Sequence, residues 1–162
     1  MSDPRVEKFE YSFGSLFITL PNAISEDVGW TENHERQGFS RGPGVLQFAT
    51  LTQFGSAELV LKVQQCHELS DFERVIQVPF EIQSRKVKIG SIECANDPII
   101  VDLEPGCYKV VVAQKLIDED EIGAGREAIE ICFEQLESPL KESKILVCDS
   151  GLNPPNVLLE TY

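Results

Sequence analysis

Few residues in this sequence could support catalysis, namely two histidines, the cysteines and some runs of carboxylates. Nucleophilic catalysis needs a base beside the nucleophile, and His67 directly follows Cys66. If this segment is a strand, the two side chains point to opposite faces and cannot form a catalytic pair. His34 lies in a charged stretch and is expected to be a solvated residue. The sequence therefore predicts no catalytic residues.

The cysteines are far apart and never form a C-x-x-C motif. Their number is odd, and they are Cys66, Cys94, Cys107, Cys132 and Cys148. This usage is typical of reduced, mostly buried thiols rather than of a disulfide framework or a zinc site. Nothing in the sequence predicts a metal or a cofactor.

The strongest local signal is an acidic run, Asp118, Glu119, Asp120 and Glu121, directly after a predicted strand. Four adjacent carboxylates on a glycine-rich loop could ligate calcium, but they lack the D-x-[DN]-x-[DN]-G pattern of a calcium loop. A solvated loop is a second interpretation, because charge runs normally stay in water. A third is an anionic patch that faces a protein and replaces DNA phosphates in a basic cleft. Glu127, Glu130 and Glu134 could extend this patch along the solvent face of the next strand.

The glycine-rich stretches do not predict a nucleotide site. Residues 123–125 form a G-x-G without a third glycine, and their acidic flank would repel a pyrophosphate. Residues 42–44 lack the Lys and Ser/Thr of a phosphate-binding loop. A glycosidase-like pair of carboxylates is left open, because separation in space is invisible in a sequence.

Composition limits the partners. The 162 residues fit one domain, and 42% hydrophobic with 25% charged residues is ordinary for a soluble protein. No apolar run is long enough to span a bilayer, and the first residues do not resemble a secretory signal, so a cytoplasmic location is expected. The net charge of -13 opposes direct binding of nucleic acid or anionic lipid and favours a basic protein partner.

Period-2 alternation dominates the elements that must position these residues. It predicts a long edge or bent strand from Phe9 to Leu20. Further strands are predicted at 57–63, at 75–82 with Pro79 at an edge or bulge, at Val87, Ile89 and Ile92, at 99–103, 107–116 and 129–133, and at 144–148. Pro105-Gly106 predicts a tight hairpin between the strands that flank it. Thr31 to Gly38 has the N-cap and closing glycine of a short helix. The fold class predicted is all-β, an antiparallel β-sandwich with one short helix near residues 31–38.

Several segments resemble the competence protein J (ComJ) family, inhibitors of the DNA-entry nuclease of competent bacteria. They occur in the family's order and span roughly Phe9 to Phe133: Trp30-Thr31-Glu32, Gly38-Phe39-Ser40-Arg41, Val45 and Phe48, Phe72 to Phe80, Ile89 to Ile92, and Leu103 to Tyr108. The resemblance implies a non-enzymatic inhibitor that binds a nuclease and blocks DNA cleavage. The resemblance provides no counterpart for a C-terminal extension from about residue 135, nor for the full run from Asp118 to Glu121. We expect one ComJ-like domain over residues 1–162.

Chemistry, rather than the resemblance, selects the candidate contact residues. Asp118 to Glu121 are expected to act as phosphate mimics. Glu32 and Glu35 form a second anionic cluster near Trp30, a residue that suits either a core or rim position or an interface. Arg41 and Arg74 are expected in internal ion pairs, and Phe80 and Tyr108 in the core.

Other functions remain open at this point. They are a calcium-dependent or carbohydrate-binding module, a hydrolase or lyase that uses carboxylates on a jelly-roll face, and an immunity protein against a toxin nuclease. Two distant histidines argue against the enzyme, since such sites usually hold a histidine cluster or a metal set.

Overall fold

The computed structural model of the protein describes residues 4–23, 28–67, 69, 71–91, 98–122 and 124–160. Ile92, Cys94 and Gly123 lie outside this range. The described residues form two sheets and one short helix, in the order β1 (Arg5–Tyr11), β2 (Ser15–Thr19), α1 (Glu32–Gln37), β3 (Phe39–Gly42), β4 (Val45–Ala49), β5 (Phe54–Val63), β6 (Arg74–Ile82), β7 (Lys86–Gly90), β8 (Ile99–Asp102), β9 (Gly106–Glu119), β10 (Ala124–Leu136) and β11 (Lys144–Val147). The predicted all-β class with a short helix is confirmed.

The six-stranded sheet has the order β1-β5-β10-β9-β6-β11, and the five-stranded sheet has the order β3-β4-β2-β7-β8. The strand pairs are antiparallel except for β5 and β10, which run parallel with Phe54 opposite Ala124. The expectation of a purely antiparallel sandwich was therefore wrong at this pair. The chain enters both strands from the same end of the sheet, and alternation along one strand carries no information about its neighbour's direction.

The core lies between the two sheets and is built by the alternating residues. Leu59 and Ile131 of the six-stranded sheet and Ile18 and Phe48 of the other are fully buried in one cluster. Phe80 and Tyr108 belong to the same cluster, as predicted. Successive strand residues point to opposite faces, so the pattern reports which face is buried.

The predicted single strand from Phe9 to Leu20 is instead two strands in different sheets. β1 is the edge of the six-stranded sheet, whereas β2 lies in the middle of the five-stranded sheet. Between them Phe13 and Gly14 have φ of 56° and 62°. Two successive left-handed residues turn the chain, and they end the strand.

The turn at Pro105-Gly106 is also not a hairpin. β8 pairs with β7 in the five-stranded sheet, and β9 pairs with β6 and β10 in the other. Gly106, with φ of 155°, therefore lies where the chain crosses between sheets. Alternation and the Pro-Gly pair correctly marked a turn between strands, but they do not say which strands pair.

The short helix α1 begins and ends where the sequence predicts. Thr31 has an extended N-cap conformation, and its N–H donates to Nδ1 of His34 at 2.9 Å. Gly38 closes the helix with φ of 84°. His34 is 3% exposed, so its predicted solvated position was wrong. The capping role turns the imidazole inward, and burial lowers the pKa of His34 below its usual 6.5.

Pro79 has a strand neighbour on one side, β9, in the described part of the chain. β11 pairs with β6 only from Val75 to Gln77, so it ends before Pro79. The predicted edge position agrees with this arrangement, since proline cannot donate to a ladder.

The C-terminal segment (residues 148–160) packs against α1. Asn153 N donates to Arg36 O at 3.0 Å, and the Gln37 side chain makes hydrogen bonds of 3.0 and 2.9 Å with the backbone C=O and N–H of Leu159. Leu152 is buried against this region and approaches Gly38. In the described ranges no helix has the length and apolarity needed to cross a membrane.

Candidate partner-binding surface

The four predicted carboxylates lie together at the end of the β9–β10 hairpin, which we call the acidic tip (residues 118–122). Glu119 pairs with Gly125 and Asp118 with Arg126, so the run spans the end of β9 and the turn. All four side chains are exposed. The structure thus presents the run on a hairpin anchored in the middle of the six-stranded sheet.

Two of the four carboxylates are engaged within the hairpin. Asp118 Oδ2 accepts a hydrogen bond from Arg126 Nη2 at 2.7 Å, in an exposed ion pair. Asp120 Oδ1 accepts from the backbone N–H of Ile122 at 3.0 Å and of Ala124 at 2.9 Å, which closes the turn. Within the described residues, Glu119 and Glu121 make no ion pair and no side-chain hydrogen bond, so their charges face solvent.

Two glycines hold the base of this hairpin against β5. A Cβ on Gly55 would overlap the carbonyl of Gly125, and a Cβ on Gly125 would overlap the Thr52 side chain. Gly55 also has φ of 153°, which L side chains rarely adopt. Glycine therefore allows β5, β10 and the loop at residues 50–53 to approach closely.

A buried polar network lies beneath the acidic tip. Glu127 Oε2 accepts from the backbone N–H of Leu51 at 3.1 Å and of Thr52 at 3.4 Å, and Tyr11 Oη lies 2.5 Å from Thr52 Oγ1. Burial raises the pKa of Glu127 above its usual 4.5, although these hydrogen bonds act in the opposite direction. Burial and the neighbouring Glu127 raise the pKa of Tyr11 as well. The network ties the 50–53 loop to β10.

The second predicted cluster surrounds α1. Trp30 Nε1 donates to Glu35 Oε2 at 2.6 Å, and its ring stacks on His34 with centroids 6.0 Å apart. Trp30 is half-buried, while Glu32 and Glu35 are exposed in the first turn of the helix. The cluster therefore exists, with Trp30 at its rim and its N–H directed to Glu35.

The C-terminal end of α1 is connected through the 50–53 loop to the strands that carry the acidic tip. Gly38 O, at the end of α1, accepts from Ala49 N at 2.9 Å, and Gly14 O accepts from Thr50 N at 2.9 Å. The loop continues through Gln53 to Phe54, which pairs with Ala124 beside the acidic tip. No hydrogen bond or ion pair among the described residues joins the two clusters directly.

A model of the competence protein J (ComJ) family matches residues 8–134. The chain belongs to the competence protein J family. The resemblance that its segments showed is thereby confirmed, and the match includes both acidic clusters. Residues after 134 lie beyond it. No curated protein matches the chain.

A solved member of this ComJ family has a similar fold. The crystal structure of ComJ from Bacillus subtilis, described as an inhibitor of the DNA degrading activity of NucA, is 16% identical to this chain. The similarity covers 80% of this chain and 95% of that one, with a TM-score of 0.65. At this identity the comparison shows a common fold.

The predicted extension of the acidic patch along β10 was wrong for this ComJ family member. Glu127 is fully buried on the core side, and Glu130 is 9% exposed. On the outer face of the sheet Glu130 forms an ion pair with Lys62, and Glu134 forms one of 3.2 Å with Lys109. Lysines on the neighbouring strands neutralise these carboxylates, and the sequence does not reveal this pairing.

The two arginines are in internal ion pairs, as predicted. Arg41 Nη1 lies 2.7 Å from Glu160 Oε2, and Arg74 binds both carboxylate oxygens of Asp149 at 2.6 and 3.0 Å. Both partners belong to the C-terminal segment. These arginines hold that segment against the part of the chain that the ComJ family model matches.

Cys66 and His67 lie in a loop after β5, so the argument from opposite faces of a strand does not apply to them. Both line a cavity of about 420 Å³ on the outer face of the six-stranded sheet. Hydrogen bonding with Cys132 and burial raise the pKa of the Cys66 thiol, which disfavours a nucleophilic thiolate. Cys66, Cys107, Cys132 and Cys148 are free thiols. The described residues hold no group of three or more side chains arranged for a metal ion.

Sequence reasoning missed four exposed apolar residues in or near the acidic tip, namely Phe13, Phe54, Ile117 and Ile122. Alternation placed Phe13 in a strand, where an aromatic residue is expected to be buried. The one available signal is that Phe13 and Phe54 each precede a glycine.

Proposed function

We propose that this chain is a protein inhibitor of a DNA-degrading nuclease, and that the acidic tip occupies the nuclease's DNA cleft. The activity comes from the description of the B. subtilis ComJ, and family membership supports its transfer to this chain. No chemical step by the chain itself is needed, because blocking the cleft excludes DNA.

The observation that carries the proposal is a pair of carboxylates on an exposed hairpin end, Glu119 and Glu121, that have no ion-pair partner among the described residues. A cleft that binds DNA presents positive charge to a phosphate backbone with one charge per roughly 1.7 Å. Exposed carboxylates in a chain of net charge -13 are complementary to such a surface. The basic character of the nuclease is part of the proposal.

The Trp30 cluster is proposed as a second contact region. Glu35 holds the Trp30 ring in a fixed orientation, and large aromatic side chains with little freedom to lose contribute strongly at interfaces. A Trp30→Phe variant retains a ring beside His34 and frees Glu35. It is expected to weaken inhibition if this region contacts the nuclease.

The test is a titration of the purified chain into the DNA-degrading nuclease of the same organism, with plasmid cleavage followed at low and high salt. Stoichiometric inhibition that weakens with salt is expected. Inhibition that is insensitive to salt would overturn the electrostatic contact, and no inhibition at either salt would overturn the function. A gel-mobility control with plasmid and the chain alone is expected to show no complex. The predicted cytoplasmic location is checked by cell fractionation.

A further inference from the structure

Besides Ile117, which directly precedes the acidic tip, three large apolar side chains in or near the tip are exposed to solvent. Phe13 is 64% exposed, Phe54 44% and Ile122 77%. Single exposed apolar residues are common and need no explanation, whereas several at one place mark an interaction surface. The question is whether these three belong to one place.

Backbone contacts connect all three to the same end of the six-stranded sheet. Gly14 follows Phe13 in the chain, and Gln53 precedes Phe54. The backbone N–H of Gly14 donates to Gln53 O at 2.6 Å. Phe54 pairs with Ala124 across β5 and β10. The backbone N–H groups of Ala124 and Ile122 both donate to Asp120 Oδ1. Each residue is therefore linked to the next through direct neighbours.

Phe13 has a backbone conformation that its side chain disfavours. Its φ is 56°, and in the described residues it is the one non-glycine residue with a positive φ. The left-handed region is strained for an L-residue with a bulky side chain, and asparagine or glycine occupies it more readily. An exposed phenylalanine here gains little burial to offset that strain. Neither folding nor solubility explains it, which points to binding.

We infer that Phe13, Phe54 and Ile122 are the apolar anchors with which the chain holds its basic nuclease partner, around the carboxylates of the acidic tip. The inference rests on the proposed function and extends it from charge to apolar contact. The occupant is the nuclease itself, because Glu119 and Glu121 lie within the same surface and require a positively charged partner.

The two components have different kinetic roles. Exposed charges steer the encounter and act mainly on the association rate, whereas buried apolar anchors act mainly on dissociation. Salt is therefore expected to change how fast the complex forms, while loss of an anchor shortens its lifetime.

The test compares Phe13→Asn and Ile122→Ser with the control Val6→Thr in the full chain. Val6 is 60% exposed, but it lies at the opposite end of β1. Each anchor variant is expected to raise the concentration for half-inhibition at least about tenfold, which is about 1.4 kcal/mol, through faster dissociation. Val6→Thr is expected to stay within about twofold of the wild type.

Thermal unfolding of the same variants shows whether the fold is intact. Asparagine tolerates the left-handed backbone, so the Tm of Phe13→Asn is expected to equal or exceed that of the wild type. A variant that is no less stable yet inhibits less well supports the inference. If the wild type inhibits and both anchor variants match it, the inference is wrong and the proposed function stands. If the wild type does not inhibit, the proposed function is wrong and the inference falls with it.

Discussion

Arg74 and Asp149 form a bidentate ion pair with N–O distances of 2.6 and 3.0 Å, in which the Arg74 side chain is 5% exposed. Ala49 O accepts hydrogen bonds from both Arg74 Nη1 and Gln114 Nε2. Arg74 lies inside the family match, whereas Asp149 lies beyond it. The C-terminal segment thus supplies the counter-charge for a guanidinium buried beside Ala49, at the end of β4.

Replacement of Asp149 by asparagine is expected to lower the free energy of unfolding by about 3 kcal/mol at neutral pH, because Arg74 would remain buried without its charge partner. Partial burial alone would raise the pKa of Asp149, but hydrogen bonds and charge from Arg74 hold it below its usual 3.8. The pair therefore stabilises the fold above about pH 3.8, and that contribution is lost as the pH falls through the folded-state pKa.

Urea unfolding of wild type and Asp149→Asn at neutral pH and toward pH 3 measures this dependence. The control is Glu104→Gln, which breaks the exposed pair with Arg85 and is expected to cost less than about 1 kcal/mol. Equal losses in the two variants would contradict a special role for the buried pair.

Removal of residues 152–162 is expected to loosen α1 while leaving inhibition stoichiometric. The truncated chain keeps Asp149 but loses the apolar contacts of Leu152, the two hydrogen bonds of Gln37 with Leu159 and the ion pair of Arg41 with Glu160. A loss of about 3 kcal/mol is expected from such contacts. Hydrogen exchange should show faster exchange in α1. Loss of inhibition below the melting transition would instead place the tail in the interface.

Glu127→Gln is expected to change how stability depends on pH. Burial raises the pKa of Glu127, so the folded protein binds this proton more tightly than the unfolded chain does. Its contribution to stability therefore falls as the pH rises from about 4.5 through the folded-state pKa. Relative to wild type, the variant should become more stable across that window. Urea unfolding over a pH series measures the difference, and a constant difference would contradict the assignment.

Glutamine at both Glu119 and Glu121 is expected to slow association with the nuclease and to reduce its salt dependence. The matched control removes two carboxylates at the other end of β9, with Asp102→Asn and Glu104→Gln. Stopped-flow association at several salt concentrations separates the two. Equal effects would mean that net charge matters and the acidic tip does not. Asp120→Asn is expected to act on the turn, since Asp120 accepts two backbone N–H groups.

The sequence by itself determined the fold class, most strand positions, the short helix, the internal ion pairs of Arg41 and Arg74 and the family. These features depend on local periodicity, capping residues and charge, which are visible within a few residues of each position. The exposed acidic run was visible for the same reason.

Only the tertiary structure decided which strands pair and which carboxylates stay free. The Phe13 turn and the Pro105-Gly106 crossing move the chain between sheets, and local alternation reads the same in either sheet. Asp118 is bound by Arg126 and Glu130 by Lys62, whereas Glu119 and Glu121 have no such partner in the described residues. Whether a charge or an apolar ring is available to another protein depends on neighbours that are distant in sequence. This surface therefore forms only when the chain folds.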